Sequence, residues 1–182
     1  MKFRMTFFLM LTLLPAVFCQ NDDRQTTEPL SHDGFSSFTL NQIQKFSAIA
    51  KTPEPIILKP SGVRYWDAPK DKGESPQKSK LVSLEATVYS EDGRILLSTL
   101  RDRTPIRYFY DEGMMPEVFD KAIAGMKPLG RRLIIFPKGS VKLHEESSES
   151  ERLVFGAGGQ LIVNVTLLWV RDSERDKLEK FK

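Results

Sequence analysis

Cysteine and histidine are nearly missing. The 182 residues hold one cysteine, Cys19, and two histidines, His32 and His144. A lone thiol excludes a disulfide framework or a thiolate cluster within the chain, and two imidazoles far apart in sequence make no multi-histidine metal site. No metal site is therefore expected. An excess of one charge sign is missing as well. Lys plus Arg is 27 against 24 for Asp plus Glu, and Lys2 and Arg4 precede the first apolar run, so the remainder balances at 25 against 24. With no broad positive field to recruit phosphates, nucleic acid is not an expected partner. The apolar run itself, Met5 to Phe18, is shorter than the roughly 20 residues that a membrane-spanning helix needs.

What is present points to export and one folded domain. Residues 1–19, MKFRMTFFLMLTLLPAVFC, join a basic start to a short apolar run, the pattern of a secretory signal. Two readings of its end stay open. Cys19 closes the apolar run ahead of a polar stretch, as in bacterial lipoproteins, although Phe18 stands where a small side chain is usual. Acylation there would anchor the protein to a membrane. Ordinary cleavage near Cys19 would release it to the periplasm or beyond. The rest of the chain suits a globular domain, since 40% of all residues are hydrophobic and 28% charged.

Residues 20–60 read as a polar, proline-containing tether. Leu40, Ile43 and Phe46 permit a short amphipathic helix over 39–50, and Pro53, Pro55 and Pro60 favour an extended linker after it. From Ser61 the texture turns to strands. LVSLEATVYS (81–90) alternates, Glu91-Asp92-Gly93 makes a tight turn, and RILLST (94–99) returns. IRYFY (106–110), RRLIIF (131–136) and LIVNVTLLWV (161–170) are further strands, the last with Leu161, Val163, Val165, Leu167 and Trp169 facing one way. One strong helix is predicted, over Pro116–Met126, with Pro116 at its first position. The acidic run His144–Arg152 and the glycines around Gly156 read as loops, and 172–182 as a charged tail. The fold class is α+β, an antiparallel sheet with its apolar face over one short helix.

SGVRYWD (61–67), EDGRILLST (91–99), RDRTP (101–105), FDKAIAGMKPLGRRLIIFP (119–137) and LIVNVTLLWV (161–170) together resemble the FKBP family of peptidyl-prolyl isomerases over Ser61–Arg171. The resemblance implies a twisted antiparallel sheet wrapped around one short helix. It also implies binding of proline-containing polypeptide segments, with no cofactor. Family members use clustered aromatics, an aspartate and a backbone N–H at the start of the helix. By the same resemblance those places fall here on Ala86, Leu96, Leu97, Ile106, Met115, Pro116, Phe119, Val141 and Val163. The aspartate becomes Leu97, the tryptophan of the pocket floor becomes Phe119, and the N–H donor becomes Pro116, which has none.

Two functions follow as expectations. One is an exported isomerase and folding factor for envelope proteins, with activity reduced by these substitutions. The other is a non-catalytic module of the same fold that binds or assembles partners in the bacterial envelope. A hydrolase is disfavoured, because the sequence offers no nucleophile–base set.

Overall fold

The computed structural model describes residues 35–143, 149–156 and 158–172. The leader with Cys19, the first part of the tether, His32, His144 and most of the charged tail lie outside the described residues.

Among the described residues, alternating and β-branched segments form seven strands: β1 (Ile56–Leu58), β2 (Val63–Ala68), β3 (Leu81–Ser90), β4 (Ile95–Ser98), β5 (Ile106–Phe109), β6 (Arg131–Phe136) and β7 (Leu161–Arg171). They pair antiparallel in the order β1-β2-β6-β7-β3-β4, and β5 also pairs with β3. The helices are α1 (Ser37–Ser47), α2 (Thr99–Asp102), α3 (Glu117–Ile123) and α4 (Glu149–Phe155). An antiparallel sheet with short helices is the α+β architecture expected from the sequence.

The inner face of the sheet packs on α3. Val82, Leu84, Val88, Ile134, Val163 and Val165 meet Phe119, Ala122 and Ile123 in one buried cluster. Pro116 caps α3 rather than starting it. Its carbonyl accepts hydrogen bonds from the N–H groups of Phe119 (2.8 Å) and Asp120 (3.2 Å). At the other end, the buried Arg132 guanidinium donates to the carbonyls of Ala122 (2.7 Å) and Ala124 (3.0 Å) and pairs with Asp67 at 2.7 Å. A cation there satisfies carbonyls that the helix leaves free and opposes the negative end of its dipole.

Several expectations change. The segment expected as a tether joins the folded unit from α1 onward, and β1 pairs with β2. Helix α1 buries Ile43 and Phe46 against Trp66, Leu133, Ile135 and Ile162 on the outer face of the sheet. The run RRLIIF is apolar without alternation because both its faces are covered. The N-terminal end of α1 also clamps the β3–β4 turn. Ser36 donates to the Glu91 carbonyl at 2.6 Å, and a Cβ on Gly93, whose φ is +90°, would meet the Phe38 ring at 2.8 Å. The acidic run is not all loop, since Glu149–Phe155 is helical.

Trp169 departs from the expected face. Ser83 pairs with Trp169 and Leu84 with Leu167, so Leu168 is an extra residue on β7. A bulge reverses the alternation beyond it. Trp169 therefore turns outward beneath Arg107 and Arg171, whose guanidinium carbons lie 5.8 and 4.5 Å from its ring centre.

Candidate functional site

The site begins with a break in a strand ladder. Strand β4 pairs with β3 at Thr87–Tyr89 and β5 pairs with it at Leu81–Leu84, which leaves Glu85 and Ala86 without a strand on that side. Helix α2 fills the gap. The Thr99 hydroxyl accepts from the Ala86 N–H at 2.9 Å and donates to the Ala86 carbonyl at 3.3 Å. The backbone polar groups of Ala86 are thus satisfied by one side chain, and its small methyl leaves space above the sheet.

A cavity of about 140 Å³ occupies that space, partly open to solvent. Ala86 and Val88 form its sheet side, Leu97 and Ile106 one wall, Met115 and Phe119 another, and Val154 and Phe155 of α4 the remaining wall. Phe119 is buried, with ring centres 6.3 Å from Phe136 in a stacked pair and 6.1 Å from Phe155 in an edge contact. Such aromatic pairs hold a fixed geometry beyond simple area burial.

Of the nine positions expected by resemblance, the cavity gathers Ala86, Leu97, Ile106, Met115 and Phe119. The other four lie elsewhere. Leu96 is the extra residue opposite the Val88–Tyr89 step of β3 and packs against the core. Val163 is fully buried in the sheet, between Ile134 and Val88. Val141 lines an adjoining cavity of about 230 Å³ with Leu143 and Phe155. Pro116 is buried at the cap of α3 and does not line the cavity. Val88, Val154 and Phe155 line the cavity without being among those nine positions. For the last two, the apolar Leu153-Val154-Phe155 followed by Gly156 is a usable signal, because it ends a helix as a glycine commonly does.

All eight lining side chains are apolar, so among the described residues the cavity wall carries no acid, base, nucleophile or metal ligand. The nearest unusual ionisable group lies behind α3. The Asp120 carboxylate is 4% exposed and accepts hydrogen bonds from the Tyr108 hydroxyl (2.7 Å) and the Asp111 N–H (3.1 Å). The Tyr110 hydroxyl donates to the Asp120 carbonyl at 3.1 Å. Burial pushes the Asp120 carboxyl up to about 6, against the pull of its two hydrogen-bond donors. Burial also pushes the Tyr108 phenol upward. The cluster ties α3 to β5, two elements that supply cavity walls.

Such a cavity can hold a small apolar ring and exclude water from it. An apolar cavity of about 150 Å³ accepts benzene, and a pyrrolidine ring is smaller. Rotation about an X-Pro bond breaks amide resonance over a barrier of about 18–20 kcal/mol and passes through a less polar, twisted amide. Dry apolar walls that favour that arrangement over the planar ones lower the barrier without any proton transfer.

Comparison with known proteins agrees with the fold. The structure is similar to FkpA from Escherichia coli, with a TM-score of 0.52 and 18% identity over 73% of this chain. It covers 57% of that protein, so the chain spans little more than half of its length. It is also similar to the N-terminal domain of FKBP42 from Arabidopsis thaliana (TM-score 0.51, 16% identity, 65% of this chain and 93% of that one). The three FKBP domains of wheat FKBP73 give a TM-score of 0.51 at 20% identity, over 64% of this chain and 49% of that one. No curated protein matches the sequence. The family model described as FKBP-type peptidyl-prolyl cis-trans isomerase matches residues 72–167, a span that holds β3 to β6, β7 as far as Leu167 and every residue lining the cavity. The chain belongs to the FKBP-type peptidyl-prolyl cis-trans isomerase family.

Proposed function

We propose that this protein seats a proline ring in the cavity between Ala86, Leu97, Met115 and Phe119 and accelerates rotation of the preceding peptide bond, at a reduced rate. The observation that carries this reading is the cavity itself: the space remains open and wholly apolar although the family's polar and aromatic positions are substituted. The reduction follows from what the wall lacks. Among the described residues no lining side chain can hydrogen-bond the substrate carbonyl, and Pro116 offers no N–H at the cap of α3. A hydrogen bond of this kind contributes roughly 0.5–1.5 kcal/mol net, so its absence weakens recognition without closing the pocket.

A protease-coupled assay of proline peptides at micromolar protein tests the reading. Acceleration above the uncatalysed rate is expected. Leu97→Asp, which moves the wall toward the family's pattern, is expected to strengthen peptide capture and turnover. An unchanged rate at every protein concentration would remove the catalytic role. The same lack of directional groups favours a second reading, a non-catalytic binding module, in which peptide binds and Leu97→Asp leaves turnover at zero.

The setting we propose is the bacterial envelope, with proline segments of exported proteins as clients. Lys2, Arg4 and the apolar run to Phe18 support it, since uncatalysed isomerisation takes tens of seconds or longer and can limit folding there. Mass spectrometry of the mature N-terminus would read cleavage near Cys19 or acylation of it. An uncleaved chain in the cytosol would contradict export.

A further inference from the structure

On the side of α3 opposite Phe119 lies a second, larger concavity of about 770 Å³. It runs between the β1–β2 turn, the outer side of α3 and the loop that follows β6. Four lysines surround it, Lys59, Lys121, Lys138 and Lys142, against one carboxylate, Glu117, which pairs with Lys121 at 2.5 Å. That leaves three more positive groups than negative ones around the groove among the described residues. Lys59, Lys138 and Lys142 have no carboxylate partner among the described residues. The floor is apolar, with Leu58, Pro60 and Val118. The Ser140 hydroxyl on its wall is buried without a hydrogen-bond partner among the described residues.

We propose that this groove docks an extended acidic stretch of polypeptide, its carboxylates on the lysine rims and its apolar side chains on the floor. A concave channel with cations on both rims suits an extended chain better than a membrane, which meets flat or convex surfaces. The groove and the apolar cavity each share a lining residue with one further space. The 230 Å³ space beside Val141 shares Phe155 with the cavity and Gly139 with the groove. The docked stretch therefore belongs to the same polypeptide as the proline, a clause that rests on the proposed function, and the client class is proline segments flanked by acidic residues.

Fluorescence anisotropy tests docking apart from isomerisation. The probe is a labelled peptide of alternating Glu and Val without proline, beside a control with Gln for Glu. Tight binding of the acidic probe alone is expected, weakening with added salt as paired exposed charges do. The Lys59→Gln, Lys138→Gln, Lys142→Gln triple variant is expected to weaken it roughly tenfold or more, since each exposed pair contributes modestly. All three side chains are exposed, so the melting temperature should hold. Equal binding of the Gln control, or an unaffected triple variant, overturns docking. So does tighter binding of phosphatidylserine vesicles through the same lysines, which would make the surface a membrane patch. With an acidic proline peptide, the triple variant should raise KM and leave kcat unchanged, and an unchanged KM overturns the shared-client clause. If no proline peptide is isomerised, the proposed function and that clause fail together, while the proline-free probe still decides docking.

Discussion

Asp120 illustrates how single residues set the behaviour of this molecule. Its carboxyl titrates near 6 when folded, above the ordinary carboxylate value of 3.8, because burial disfavours its charge. A raised acid binds its proton more tightly in the folded state. Its stabilising effect is therefore full below about pH 4 and is lost as pH rises to about 6, of order 1–3 kcal/mol. Asp120→Asn is isosteric with the protonated acid and cannot titrate. Urea unfolding from pH 4 to 7 should show the variant gaining on the wild type as pH rises, and a pH-independent difference would contradict the burial argument. At this scale the sequence is only half readable. Leu97, Ile106, Met115 and Phe119 are visible as apolar residues at family positions, and they do meet. The Asp120–Tyr108 contact is not visible. Asp120 reads as a favourable first-turn acid on α3, and its burial depends on β5 lying behind it.

Among the elements, α1 carries the largest consequence that composition concealed. Its spacing of Leu40, Ile43 and Phe46 is legible as an amphipathic helix, but its docking place is not, because the acceptor surface is assembled from β2, β6 and β7. The non-alternating RRLIIF run is the one local hint that a strand has two covered faces. Phe46 is 5% exposed in that outer core, and Phe46→Ala should cost about 3–5 kcal/mol through lost burial and the cavity left behind. Denaturant unfolding measures this, and a loss below about 1 kcal/mol would mean that α1 is loosely seated. Helix α4 is hidden in the sequence for a different reason. Seven acidic and serine residues precede its apolar end, and that polarity outweighs three apolar residues in any local reading. Only the nonlocal contact of Phe155 with Phe119 shows what the helix contributes.

For the whole molecule, both faces of one sheet are used, and they are used differently. The outer face is closed by α1, whereas the inner face stops short of full packing where β3 loses its neighbour at Ala86. The strand order, the helix on the inner face and the family follow from patterns that recur along the sequence. The open cavity does not, since it depends on how far apart five elements settle. Its function depends on those walls accepting a proline ring. Methyl NMR of the protein labelled at methionine, titrated with a proline peptide, tests that directly, because Met115 lines the cavity and Met114 is 50% exposed outside it. A saturable shift of the Met115 methyl with faster cis–trans exchange in the peptide is expected, and neither effect with the proline replaced by alanine. A Met115 signal unmoved by excess peptide would contradict that function.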